Sequence, residues 1–85
     1  MALVEFGEKK LTYCDEEKGV CYVIKLGENE KPEVIRLGID ESMRMIERLR
    51  EEVERAEGEI ARVDREMKER IARMIEDIKK FVEAF

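Results

Sequence analysis

The stretch that decides the fold runs from Asp40 to Phe85 and reads DESMRMIERLREEVERAEGEIARVDREMKERIARMIEDIKKFVEAF. Apolar residues recur along it at steps of three or four, at Met43, Ile46, Leu49, Val53, Ala56, Ile60, Val63, Met67, Ile71, Met74, Ile78, Phe81 and Phe85. The mean step is about 3.5 residues, which is the repeat of a coiled coil and not of a strand. The pattern predicts one long C-terminal amphipathic helix over residues 40–85.

Gly58 is the weak point of this helix, because glycine inside a helix costs about 0.5–1 kcal/mol relative to alanine. Two structures account for it: a continuous helix, or a helix that breaks near Gly58 and folds back. We expect the continuous helix, since the surrounding residues 56–59 (AEGE) lack the Pro, Asn or Asp that usually accompany a turn.

A continuous helix over residues 40–85 would be about 70 Å long, too long for the residues before it to cover. The stripe predicts a homodimer, and the interface is expected to contain Ile46, Leu49, Val53, Ala56, Ile60, Val63, Met67, Ile71, Met74, Ile78 and Phe81. A parallel pair would set Glu52 against Glu57 of the second copy, which is repulsive. An antiparallel pair centred near Gly58 fits better, although Glu52 then meets Glu66. Beyond Met67 the apolar face widens, which is typical of a helix that lies on a sheet.

Residues 1–39 predict a small β-rich head. Short runs that alternate apolar and polar residues, or are largely apolar, are separated by polar or glycine-containing turns, and they cover residues 2–6, 10–14, 20–26 and 33–37. Short connections imply sequential antiparallel pairing, hence a meander of three or four strands. The sequence therefore predicts a single α+β domain over residues 1–85, with the head at 1–39 and the long helix at 40–85.

Charged residues make up 46% of the chain and the formal net charge is −5, with no basic or acidic tail. Glu, Lys and Arg are abundant, whereas histidine and tryptophan are absent. This profile is typical of a hyperthermophile protein, although charged helical proteins from mesophiles share it. The sequence shows neither a signal peptide nor an apolar run near 18 residues, so we expect a cytoplasmic protein that does not enter the membrane.

Cys14 and Cys21 are a candidate disulfide, because pairing of the strands on either side of the 15–19 loop brings them close. The alternative is two half-buried thiols on one sheet. A zinc site is not predicted, since the cysteine spacing is wrong and there is no histidine. The hydroxyls of Thr12 and Ser42 lack a histidine base. We therefore predict no metal, no cofactor and no catalytic residue.

The leading interpretation is a non-enzymatic small interaction or assembly protein that acts through helix-mediated dimerisation. The alternative is a nucleic-acid-associated or antitoxin-like regulator of viral, plasmid or chromosomal origin. There the β head or a row formed by Arg48, Arg55 and Arg62 would contact DNA, or the long helix would cover a partner enzyme. Each of these arginines has a glutamate four residues on, so intrahelical ion pairs are the simpler interpretation. The expected partner is a second copy or another protein, and the charge balance argues against nucleic acid.

Overall fold

A computed structural model describes residues 1–27 and 31–83 of the chain. It contains β1 (Ala2–Gly7), β2 (Lys10–Asp15), β3 (Val20–Lys25), β4 (Glu33–Arg36), α1 (Ile39–Glu54), β5 (Ile60–Val63) and α2 (Arg65–Glu83). The strands form one sheet in the order β4-β3-β2-β1-β5, and each neighbouring pair is antiparallel. The predicted α+β class is confirmed. The sheet has five strands where three or four were expected.

The prediction of one long helix is wrong, because α1 ends at Glu54. Ala56 lies in the left-handed region at φ 54°. Its backbone N–H donates to the carbonyl of Val53 at 3.3 Å, and that of Glu57 donates to the carbonyl of Glu52 at 2.8 Å. These two bonds form a Schellman motif, the usual way in which a helix stops. Gly58 follows at φ 68°, so the chain leaves the helix direction well before residue 60.

Residues 60–63 form a strand because their backbone pairs with the edge of β1 that β2 leaves unpaired. In the register of this pair, Ala2 lies opposite Val63, and Leu3 lies opposite Arg62. The backbone N–H of Phe6 also donates to the carbonyl of Glu59 at 2.8 Å. The apolar step from Ile60 to Val63 fits a helix, but the pairing with β1 decides the structure. An alternative predicted a break near Gly58 and is closer to this structure, although it lacked the inserted strand.

Asp64 starts α2 at the end of β5. Its side-chain oxygen accepts a hydrogen bond from the backbone N–H of Met67 at 2.8 Å, as the first residue of a capped helix does. α1 begins at Ile39 after Gly38, without a side-chain cap. In residues 1–27 and 31–83, neither helix has the length and apolar content to cross a membrane.

The two helices pack on opposite faces of the sheet. On the face that we call the α1 face, Ile46 and Leu49 pack with Leu3, Cys14 and Cys21. On the opposite face, called the α2 face, Ile75 is buried with a cluster that contains Ala2, Val4, Tyr13 and Ile24. The chain therefore has three layers, with the sheet in the middle and two separate apolar clusters.

Candidate functional site

An apolar groove runs between α2 and the part of the α2 face that this helix leaves uncovered. Its volume is about 590 Å³. Its lining side chains are all apolar and come from both the sheet and the helix: Val4, Phe6, Leu11, Ile24, Leu26, Ala61, Val63, Met67, Ile71, Met74 and Ile78. We call this surface the groove.

Large apolar side chains of the groove are exposed to solvent. Phe6 is 51% exposed and Leu26 is 49% exposed on the sheet side, while Met67 and Met74 on α2 are 43% and 39% exposed. Scattered exposed apolar residues are normal on a soluble protein, but a contiguous group marks an interaction or ligand surface. The groove is therefore the candidate functional site of the described residues.

Charged contacts hold α2 over one part of the sheet and so set the width of the groove. The Lys68 ammonium lies 3.2 Å from the carboxylate of Asp15, whose side chain is only 6% exposed. Burial alone would raise the pKa of Asp15, but hydrogen bonds from the Lys18 and Glu17 backbone and from Lys68 hold its pKa below the usual value. Nearer the C-terminal end of α2, the Lys79 ammonium lies 5.3 Å from the centre of the Tyr22 ring.

The predicted dimer stripe is divided between the two faces. Ile46 and Leu49 are buried under α1, and Val53 and Ile60 pack against the same cluster. Ala56 lies in the exposed turn after α1. The second half of the stripe is different, because the groove contains Val63, Met67, Ile71, Met74 and Ile78. Phe81 lines a neighbouring depression together with Pro32.

The single continuous seam predicted from Ile46 to Phe81 is therefore not present. The physical reason is that the sheet lies between its two halves, so that no flat partner could contact both. Sequence reasoning also missed the sheet side of the groove, which consists of Val4, Phe6, Leu11, Ile24 and Leu26. A signal was available in the sequence, since alternate residues of a strand share one face. Val20, Tyr22, Ile24 and Leu26 therefore form one apolar strand face, which is longer than one helix covers.

The α1 face is closed. Cys14 and Cys21 lie directly opposite each other on β2 and β3, with their Cα atoms 4.1 Å apart, and the structure joins them by a disulfide. Both are 0% exposed. The Ser42 hydroxyl accepts a hydrogen bond from the backbone N–H of Cys21 at 3.1 Å and donates one to the carbonyl of Leu37 at 3.3 Å. These contacts fasten α1 to the sheet.

The arginine row of the nucleic-acid alternative is dispersed. Arg48 pairs with Glu5 at 3.1 Å and with Glu52 at 2.9 Å, and hence holds α1 against β1. Arg62 lies on β5 and pairs with Glu16 at 2.6 Å. Because the helix ends before Arg55, the three arginines do not line one helix face.

The two hydroxyls considered for chemistry, those of Thr12 and Ser42, are both buried. The Thr12 hydroxyl is buried and has no hydrogen-bond partner among the described residues. Ser42 is fully buried and bonded to the backbone. In the ranges 1–27 and 31–83, no three His, Cys, Asp or Glu side chains are grouped so that they could hold a metal ion.

Comparison of the chain with known protein families, with curated proteins and with solved structures finds no significant match.

Proposed function

We propose that this protein is a small non-enzymatic interaction or assembly protein that works as a homodimer through α2, with the groove as its contact surface. The observation that carries the proposal is the all-apolar lining of the groove, in which Phe6, Leu26, Met67 and Met74 are exposed. Covering such a surface contributes roughly 25 cal/mol for each Å² of apolar area removed from water, which opposes the entropic cost of association.

The lining supports a protein partner over a small molecule. Sites for small molecules are mostly apolar but contain a few polar groups that orient the ligand, and they bury about 70–90% of its surface. Here every lining side chain is apolar. The rim residues Phe6 and Leu26 are about half exposed, so the groove is open to solvent at its sheet side. An open apolar surface next to a helix suits the helix or sheet of another protein.

Helix-mediated dimerisation is supported by the position of the predicted interface residues. Met67, Ile71, Met74 and Ile78 were expected at a dimer contact from their spacing alone. They remain on one side of α2 at the groove, although the long helix is absent. The nucleic-acid alternative loses its main support, because Arg48 and Arg62 are held by carboxylates on different elements.

The test compares two glutamate substitutions at exposed methionines. Met74→Glu places a charge in the groove, whereas Met43→Glu places the same charge on α1, where Met43 is 55% exposed. Sedimentation equilibrium of the wild type should give twice the chain mass of 10.1 kDa. Met74→Glu should weaken the dimer by about tenfold or more, since an unpaired charge would be buried at the contact.

The control variant Met43→Glu should keep the mass of the wild-type dimer. A wild type that sediments as a 10.1 kDa monomer at tens of micromolar would contradict the proposal. An equal loss of dimer in both variants would also contradict it, because the effect would then not belong to the groove.

A further inference from the structure

We infer that the second copy docks with its α2 antiparallel to the first, about a twofold axis near Met74, and that Arg70 and Asp77 select this arrangement. This inference rests on the proposed homodimer. It adds the orientation of the two copies and the residues that decide it.

The exposed apolar strip of α2 is symmetric about its middle residue. Met67, Met74 and Phe81 follow one another at intervals of seven residues, so they lie on one side of the helix. They are 43%, 39% and 50% exposed. When one copy is turned end over end about Met74, Met67 lies beside Phe81 of the second copy, and the two Met74 side chains meet. The strip therefore matches a reversed copy of itself, as a twofold contact requires.

Arg70 and Asp77 flank this strip on the same side, since both line the depression that also contains Met74 and Phe81. Arg70 is four residues before Met74, and Asp77 is three residues after it. Reversal about Met74 brings Arg70 within one residue of Asp77 of the second copy along the axis, about 1.5 Å. The twofold axis repeats the pair, so opposite charges meet on both sides of Met74.

A parallel, in-register pairing of α2 would not form these pairs. Its twofold axis would run along the helices, so the flank with Arg70 and Asp77 on one copy would lie on the opposite side of the contact from the same flank of the second copy. In the antiparallel pair, the two Arg73 side chains approach each other near the axis and repel. The Asp77 carboxylates, which lie on the same flank, offset that repulsion. The charge pattern of α2 therefore favours the antiparallel orientation.

Arg70 is able to serve this second contact. In the single chain its guanidinium lies 2.8 Å from Glu66, and the two side chains are 67% and 75% exposed. Such exposed pairs contribute little to stability. The single chain therefore loses little stability when Arg70 also pairs with a carboxylate of the second copy. A stable dimer buries about 800 Å² per partner, roughly an eighth of the 6182 Å² surface of this chain. The groove beside the strip adds Phe6 and Leu26 to the area that the second copy can cover.

The experiment reverses the charges one at a time and together. Arg70→Asp and Asp77→Arg should each raise the dimer dissociation constant by about tenfold or more, because each replaces attraction by repulsion on both sides of the axis. The double variant Arg70→Asp/Asp77→Arg should return to within about threefold of the wild type. Arg44→Asp, with the same change in charge on α1, is the matched control and should leave the constant unchanged.

Mixing the two single variants gives an independent readout. A chain with Arg70→Asp carries two acids at these positions and a chain with Asp77→Arg carries two bases. In the antiparallel pairing each acid then meets a base, so native mass spectrometry should show the heterodimer in excess over either homodimer. Circular dichroism melts of each variant establish that the chains are folded.

The outcomes separate this inference from the proposed function. A wild-type dimer that is insensitive to both single reversals, or a double variant that does not recover, overturns the antiparallel arrangement while the homodimer stands. A wild type that is monomeric overturns both. Tight dimers of the single variants that do not exchange into a heterodimer likewise overturn the role of Arg70 and Asp77.

Discussion

One face of the sheet is closed by its helix, whereas the other is closed only in part. On the α1 face, Leu49, Ser42 and both cysteines are 0% exposed, and the Ser42 hydroxyl bonds to the backbone of β3. On the α2 face, Ile75 is buried, but Met67 and Met74 of the same helix are 43% and 39% exposed. Both helices have one apolar side, so the spacing of their apolar residues does not by itself explain why one face is closed and the other is not.

The sheet residues under each helix explain it. The α1 face presents Leu3, Thr12, Cys14 and Cys21, which are small or medium in size, so α1 can lie close over the middle of the sheet. The α2 face presents Tyr13 and Tyr22, whose rings lie 6.4 Å apart between their centres. With Lys68 bonded to Asp15 and Lys79 over Tyr22, α2 is held at the tyrosine side and leaves the Phe6 side open. The α1 face is therefore closed, whereas the α2 face keeps an exposed apolar surface, which is the surface proposed for interaction.

The largest expected difference between the faces is in the response to side-chain truncation. Leu49→Ala should lower the free energy of unfolding by about 2–5 kcal/mol, since it leaves a cavity among fully buried residues. Met74→Ala should lower it by less than about 1 kcal/mol, because Met74 is already 39% exposed. Urea unfolding at a protein concentration at which sedimentation shows the monomer measures both changes without a contribution from the dimer. Equal losses at the two positions would contradict the division between the faces.

The disulfide should affect stability but leave the dimer intact. Cys14 and Cys21 close a loop of about eight residues, which contributes about 2.5 kcal/mol on the chain-entropy estimate. Reduction with dithiothreitol, or the double variant Cys14→Ala/Cys21→Ala, should lower the free energy of unfolding, measured in urea, by about the same amount. The sedimentation mass of the folded protein should not change, since the bond lies on the α1 face. Loss of the dimer on reduction, with the chain still folded, would show that the faces are coupled.

The sequence was sufficient for the first four strands, because alternation and turns are local signals. The strand predicted at residues 10–14 is observed at Lys10–Asp15, and that predicted at 33–37 is observed at Glu33–Arg36. The end of α1 was not predictable in the same way. The left-handed position of its Schellman motif is occupied by Ala56, where glycine is the usual residue. The apolar steps also continue through Ile60 and Val63, as they would in a continuous helix.

About half of the groove was also predictable. Five of its eleven lining residues were expected at a contact surface from their spacing: Val63, Met67, Ile71, Met74 and Ile78. The sheet residues Phe6 and Leu26 were not expected there, because their exposure depends on where α2 lies over the sheet. That placement is set by contacts distant in sequence, such as Lys68 with Asp15, which no local pattern reveals.

Oxidative cross-linking of Met74→Cys tests the central claim most directly. The native cysteines are paired and fully buried, so the new thiol at position 74 is the reactive one. With copper phenanthroline as oxidant at micromolar protein, the account predicts rapid conversion to a covalent dimer of twice 10.1 kDa, because the two positions meet at the twofold axis. Met43→Cys, on α1, should remain monomeric on the same timescale. Slow cross-linking of Met74→Cys would contradict the twofold axis near Met74. Equal rates in the two variants would contradict the assignment of the groove as the surface on which a second copy docks.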